Sequence, residues 1–444
     1  MGSVRQNLRA AFSSLDNHNF RLFFFAQAVS ITGSFMQMIA QAWLVLDITD
    51  NATALGLITT AQFLPTLLIG PYAGVIGERL DKRKVLILTQ FSGMITGLLL
   101  GVITVTGHVQ LWMVFALALW LGVGNAFDAP SRQTFVLEMV GPGQLTNAVS
   151  LNNTIVNVGR LVGPTIAGVV IAGWGIAACF FANAASYTVT IVVLFAIRKR
   201  ELRPMPRVER AKGQLREGVK AVWADPALRL PILMMLVIGT FTYEWIVTLP
   251  VLAKDVFDVG AGGYGLMQSA MSIGAIAGGL YVASRVRPTH RWLVASATGL
   301  GVVTSLLAVA PVYVIALFVL VFLGVTSIMF STLANASLQL AAEPEMRSRV
   351  MGIYGVAWVG TTPIGGLILG WIIDMTNVRV AIGVGGVAAL ATALAVWPAL
   401  RRARDAGRME PAGTMIAVDD DEILEEMLPE QPVARSAEPT VAPA

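Results

Sequence analysis

The sequence predicts an all-α integral membrane protein with 12 transmembrane helices. Three observations carry that expectation: the composition, the lengths of the uncharged runs, and the one-sided placement of basic residues. The 444 residues are 55% hydrophobic and only 13% charged, with a mean hydropathy of +0.70. Soluble domains carry about 25% charged residues, so lipid is the solvent for most of this chain.

A bilayer core of about 30 Å takes roughly 20 apolar residues in a helix. Uncharged runs cover 22–46, 51–77, 85–127, 161–197, 259–284, 292–342, 350–373 and 380–400. The longest contain turn signals, Thr106-Gly107-His108 in one and Ala310-Pro311 in another, and so divide. Two further spans are interrupted by a single charge, Arg160 or Glu244. The expected spans are 20–46, 54–77, 85–106, 110–131, 147–172, 176–197, 230–253, 262–284, 291–310, 312–334, 349–373 and 379–400.

Short cytoplasmic loops hold the excess of Lys and Arg. With the N-terminus cytoplasmic, the inner side receives Arg5, Arg9, Arg79, Lys82, Arg83, Lys84, the basic segment 198–229, Arg285, Arg287, Arg291, Arg347, Arg349 and the run from Arg401 to Arg408. Only Lys254 and Arg379 fall outside. Both termini are therefore expected in the cytoplasm of a bacterial cell, with the chain in its inner membrane. The formal charge of +4 is then a topology signal, and no nucleic-acid partner is implied.

The single cysteine, Cys179, excludes an intramolecular disulfide. His18, His108 and His290 have no ligand spacing, so no metal and no cofactor is expected. The N-terminus lacks a short apolar stretch ending in a cleavage site, and the first span is expected to stay as a signal anchor.

At an offset of 202 residues the fourth to sixth spans overlie the tenth to twelfth: Leu121-Gly122-Val123 meets Leu323-Gly324-Val325, and Gly163 and Gly168 meet Gly365 and Gly370. The expected organisation is a cytoplasmic N-terminus over 1–19, a six-helix half over 20–197, a cytoplasmic linker over 198–229 and a second six-helix half over 230–400. Residues 401–444 read as a disordered acidic tail, from Asp419-Asp420-Asp421-Glu422 and the Pro/Ala-rich end. In the linker, Leu215, Val219, Val222 and Trp223 at helical spacing predict an amphipathic helix on the inner membrane surface. Two six-helix halves around a midplane cavity suit a carrier that rocks between two openings.

Between the second and third spans stands Gly74-Val75-Ile76-Gly77-Glu78-Arg79-Leu80-Asp81-Lys82-Arg83-Lys84, which resembles the signature loop Gly-x-x-x-Asp-Arg-x-Gly-Arg-Arg of the major facilitator superfamily. Gly74 permits close helix approach, and the acidic Glu78 beside Arg79 can pair with a neighbouring base to hold an inner gate; Arg132 is the candidate partner. Two departures stand out, Glu78 for Asp and Asp81 for the second Gly, and Asp81 means that the turn need not take a positive φ. The alternative is a topogenic loop with no mechanical role.

In the fifth span, Gly159-Arg160-Leu161-Val162-Gly163-Pro164-Thr165-Ile166-Ala167-Gly168 resembles the antiporter motif Gly-x-x-x-Gly-Pro-x-x-x-Gly of drug:proton antiporters. Small residues clear one face for packing, and Pro164 removes a backbone hydrogen bond. Plain packing accounts for the same spacing, but Arg160 does not belong to that account. A charge near mid-membrane costs roughly 2.5 to 3.5 kcal/mol and is seldom kept without a partner or a wet cavity.

The stretches Asn125 to Gln133, Leu145-Thr146-Asn147-Ala148, Leu249 to Ala253 and Gly263-Tyr264-Gly265-Leu266-Met267 look like the branch of this superfamily that contains enterobactin exporters and related macrolide and tetracycline efflux carriers. The resemblance implies a major facilitator fold of two six-helix halves and proton-coupled export, with a small-molecule substrate, protons and the lipid bilayer as partners.

Glu244 is the acidic residue deepest in a span. It is a candidate to exchange protons or to attract a cationic cargo; the alternatives are an ion pair with Arg160 or a misplaced span. Asp128 is a second candidate, with a gate or cap role equally open. Asn125, Asn152, Asn153, Asn157 and Asn183 form a pool of cavity candidates, although asparagines also bridge helices in lipid.

Gly260-Ala261-Gly262-Gly263-Tyr264-Gly265 satisfies the dinucleotide-binding pattern but follows no strand, and it reads as a flexible outer loop. No Walker-type sequence is present, so direct ATP drive is not expected. With no nucleophile, base or metal set converging in the spans, an enzyme is not expected either. The expected function is export of a hydrophobic or amphipathic drug or secondary metabolite; a siderophore exporter, an importer and a lipid flippase are the alternatives.

Overall fold

The computed structural model describes residues 12–203, 214–285, 288–343 and 346–405. Among them are 12 helical segments long and apolar enough to cross a bilayer, and no strand.

The first six spans are α1 (His18–Thr49), α2 (Ala52–Arg79), α3 (Lys82–Val105), α4 (Leu111–Val140), α5 (Leu145–Trp174) and α6 (Ile176–Ala196). Their ends follow local chemistry. Asn17 accepts from the Phe20 N–H at 3.0 Å and caps α1. Gly141 and Gly175, at φ 74° and 83°, end α4 and α5 in the left-handed region that glycine tolerates. Asp81 caps α3 at φ −66°, accepting from the N–H groups of Arg83 and Lys84, so the departure from Gly in the loop costs no strain.

After the linker helix α7 (Gln214–Ala224), the seventh span is broken. It consists of α8 (Pro226–Thr242), α9 (Trp245–Val251) and a wide turn over Leu252–Val256. Glu244 sits in the break at φ −84°, ψ 48°. The span is thus not the single helix expected over 230–253, and neither Pro nor Gly occupies the break. The remaining spans are α10 (Gly260–Arg285), α11 (His290–Ala308), α12 (Tyr313–Ala341), α13 (Arg347–Met375) and α14 (Val378–Asp405).

Three expectations need correction. Gly260 to Gly265 is the first turn and a half of α10 rather than a flexible loop, because its glycines let α10 lie against α5: a Cβ on Gly265 would stand 2.5 Å from the Pro164 carbonyl. The tail expected from residue 401 remains helical to Asp405, where Arg401 lies 4.7 Å over the Trp397 ring; 406–444 lie outside the described residues. The linker helix is present, but it packs on α8 and α13, with Val222 buried and an ion pair of 2.6 Å between Glu217 and Arg349. Its Val219 and Trp223 stay exposed.

The glycine pairs found by overlaying the sequence on itself occupy matching contacts. Gly122 of α4 faces the Gln62 carbonyl of α2, as Gly324 of α12 faces the Met271 carbonyl of α10. Gly163 of α5 abuts Thr32 and Met36 of α1, as Gly365 of α13 abuts Thr240 and Glu244 of the seventh span. Gly168 meets Gly262 at the start of α10, as Gly370 meets Ala52 at the start of α2. The last pairs join one half to the other, so α5 with α10 and α2 with α13 form the two seams between halves.

Candidate functional site

Each seam is tight at one end and parted at the other. In the α2–α13 seam, the Thr60 hydroxyl donates to the Pro363 carbonyl at 2.8 Å, and a Cβ on Gly366 would lie 3.5 Å from the Gly56 carbonyl. Farther along, a Cβ on Gly70, Gly352 or Gly355 would meet nothing within 4 Å. In the α5–α10 seam, Thr165 and Ser269 share a hydrogen bond of 2.5 Å, and the Ser272 hydroxyl donates to the Arg160 carbonyl at 3.2 Å. Beyond Arg160, Asn157 and Asn153 of α5 are exposed.

Polar contacts between the halves complete the closed end. Lys254 donates to Asp50 and to the Leu46 carbonyl, both at 2.8 Å. Asp374 accepts from the Ala52 and Thr53 N–H groups at 2.9 and 2.8 Å, so a carboxylate of α13 caps the N-terminus of α2. The Lys254 ammonium beside Asp50, through its hydrogen bond and then its charge, holds that carboxyl below the usual carboxylate range. None of these three residues was singled out as a site in the sequence; the signal was Lys254 itself, a base on the side that should lack bases.

Between the two ends, polar side chains of the first half line a cavity of about 80 Å³, among them Gln37, Gln41, Gln62, Asn125 and Asn183. Asn125 borders an adjoining cavity too, beside Asp128 and Arg132. Asn183 is fully buried, donates to Gln37 at 2.8 Å and accepts from Ser186, so it bridges α6 and α1. Asn152 is half-buried on α5.

Asp128 is saturated. Thr89 and Gln90 of α3 donate to one oxygen at 2.8 and 2.9 Å, and Arg132 donates to the other through two nitrogens. Arg132 also donates to Gln27 of α1, so the cluster ties α1, α3 and α4 together. The side chains of Gly74, Glu78 and Arg79, and hence the expected Glu78–Arg132 pair, lie outside the described residues. Arg83 folds back onto α6, donating to the Leu194 and Phe195 carbonyls at 2.6 and 3.0 Å. The basic end of the loop therefore caps a helix C-terminus. Gln27, Thr89 and Gln90 escaped sequence reasoning because uncharged polar residues in a span carry no partner information.

Glu244 is 2% exposed, and one of its carboxyl oxygens has no hydrogen-bond partner. The carboxyl stands against Gly365 and Gly366 of α13, beside Thr362. Among the described residues no ion pair joins it to Arg160. Arg160 instead lies 5.8 Å from the Phe35 ring of α1. No group of acidic, histidine or cysteine side chains among the described residues has the arrangement of a metal site.

The comparisons with known proteins decide the family. A model described as transmembrane secretion effector, of the major facilitator superfamily, matches residues 9–427. The chain belongs to this family. Among curated relatives of the chain, the multidrug efflux pump Tap of Mycolicibacterium fortuitum is 26% identical over 81% of this chain and 90% of its own. The enterobactin exporter EntS of Salmonella paratyphi A is 26% identical over 92% of this chain and 100% of its own. A bacterial homologue of the human lysosomal transporter Spinster, solved inward-facing and unoccupied, has the same fold: TM-score 0.69, 14% identity, 89% of this chain and 99% of that one. The fold, with its 12 candidate spans among the described residues, is thus a major facilitator fold, and the expected membership is borne out.

Proposed function

We propose that the protein is a secondary-active exporter of small hydrophobic or amphipathic molecules, drugs or secondary metabolites, driven by exchange for protons. The observation that carries this reading is the Glu244 carboxyl: buried, short of one hydrogen bond, and set in the break of the seventh span. It exchanges a proton with water only when the helices around it part, which ties proton traffic to conformation. Gly366 is the link. A Cβ there would lie 3.7 Å from the Glu244 carboxyl and 3.5 Å from the Gly56 carbonyl of the other half, so a change in the carboxyl acts beside the α2–α13 seam.

The one-sided basic residues support a chain in the bacterial inner membrane with both termini cytoplasmic, whose parted end, near the 79–82 turn, faces the cytoplasm. Residues 20–197 and 230–400 act as the two moving halves, joined by the linker 198–229. A cavity open inward and closed outward is one state of an alternating-access cycle. The gate residues are Asp81, Arg83 and Arg132 with the Glu78 loop, and Gly159, Gly163, Pro164 and Gly168 form the sliding face of α5. A siderophore is a second cargo reading, favoured by the match to the enterobactin exporter along that protein's whole length.

The test uses inverted vesicles with a respiration-driven acid interior. Candidate drugs and siderophores should collapse the pH gradient with the native protein and fail to do so with Glu244→Gln. No collapse with any compound, despite confirmed insertion, would count against antiport and leave uniport or lipid transport.

A further inference from the structure

Arg160 is the group that the proton cycle leaves unused. Its side chain is exposed at the middle of α5. Among the described residues no carboxylate pairs with it and no acceptor takes its N–H groups; its described side-chain contact is the Phe35 ring. A lipid-facing guanidinium would be a large unpaid cost, and the helix wheel excludes that position. Val158, Val162, Ile166 and Val169 form the exposed apolar stripe of α5. At about 100° per residue, Asn153, Asn157 and Arg160 lie roughly 200° away from it.

The opposite wall is chemically different. By the overlay that equates Gly163 with Gly365, Arg160 corresponds to Thr362 beside Glu244, so the guanidinium and the carboxyl stand at one depth on opposite halves. One turn of α13 toward the open end, Trp358 is 39% exposed, on the side away from the exposed stripe of Val356, Ile364 and Trp371. It stacks edge-on with Tyr243 at 5.4 Å, and the Tyr243 hydroxyl donates to the Ser327 carbonyl at 2.7 Å. The faces of α5 and α13 turned away from their exposed apolar stripes thus carry an unneutralised cation with amides on one half and an anchored aromatic face on the other.

We propose that Arg160 is the anion-binding residue of the cavity, and that the cargo is an amphipathic organic anion whose acidic group meets the guanidinium while its aromatic or apolar body lies toward Tyr243 and Trp358. This rests on the export reading above and narrows its cargo. A guanidinium offers paired donors that match a carboxylate. The Phe35 ring lies 5.8 Å from the guanidinium carbon, within reach of a cation–π contact. An anion leaving the cell also moves with the membrane potential, so its export is favoured by the same gradient that admits protons.

The experiment is equilibrium binding to the full-length protein in lipid nanodiscs, with empty nanodiscs as the partition control. The probes are two matched pairs, salicylate with salicylamide and 2-naphthoate with 2-naphthamide. The anion of at least one pair should bind about tenfold more tightly than its neutral amide, as expected for one charge-assisted hydrogen-bonded contact. Arg160→Gln should erase that preference, and Arg160→Lys should keep part of it. Arginine modification needs no variant: 2-naphthoate, and not its amide, should shield Arg160 from phenylglyoxal, read by peptide mass spectrometry. No preference for either anion, an unchanged preference in Arg160→Gln, or equal phenylglyoxal reactivity with both naphthyl probes would overturn the proposal. Binding here uses no gradient, so failure of proton antiport and failure of this site are separate results.

Discussion

The buried polar residues of this protein divide by whether their hydrogen bonds are complete. Arg83 is 8% exposed and spends its guanidinium on two carbonyls at the end of α6. Arg83→Ala leaves those carbonyls unpaired in a dry place, at a cost of about 1 to 3 kcal/mol, and the thermal unfolding midpoint in detergent should fall measurably. Asp128, with four donated bonds, is complete in the same way and works as a tie between helices. Glu244 and Arg160 are incomplete, and the two function proposals fall on them for that reason. The sequence located all four residues, Arg83 by its loop motif and the other three as charges in or beside apolar runs. It left open which were saturated, because Thr89, Gln90 and Gln27 come from other helices.

At the scale of the helices, glycines serve two kinds of contact, and substitution should separate them. Gly265 lies in the seam between halves, where a Cβ would stand 2.5 Å from the Pro164 carbonyl; Gly274 lies within the second half, where a Cβ would stand 1.8 Å from the Val321 carbonyl. Gly265→Val should keep a normal unfolding midpoint while a cysteine at Thr165 in the opposite strip of α5 gains reactivity toward a membrane-impermeant reagent added outside. Gly274→Val should lower the midpoint without that gain, because packed interiors resist added volume. The small-residue motif of α5 was legible from its spacing, while its partner on α10 was misread as loop. Helix starts rich in glycine lack a propensity signal, and the close approach of a second helix overrides it.

For the whole molecule the question is what keeps one end shut. Lys254 and Arg379 are the two bases that contradict the charge bias. Lys254 bridges to Asp50, and Arg379 donates to the Ala308 and Ala310 carbonyls at 2.8 Å, closing the end of α11. With Lys254 alongside, Asp50 binds its proton less readily in the closed state than in a state where the pair is parted. Contact is therefore fully present above the ordinary carboxylate range and is lost as pH falls through the lowered value. Outer-side labelling of the cavity should rise as external pH drops through that range. Lys254→Gln should flatten the profile, and a profile unchanged by Lys254→Gln would show that the pair does not hold the end shut.

What the sequence determined by itself was the solvent, the number of spans, the two-part plan and the family, because these rest on summed hydropathy, run length and residues adjacent in the chain. The internal repeat was legible too, since glycines at matched backbone contacts recur at matched positions. The tertiary structure decided the break at Glu244, the helical start at Gly260, the saturation of Asp128 and the seal made by Asp50, Lys254 and Asp374. Each depends on atoms from helices far apart in the chain. A span shows its own periodicity to the reader, whereas the partner of a side chain is fixed only when the halves pack.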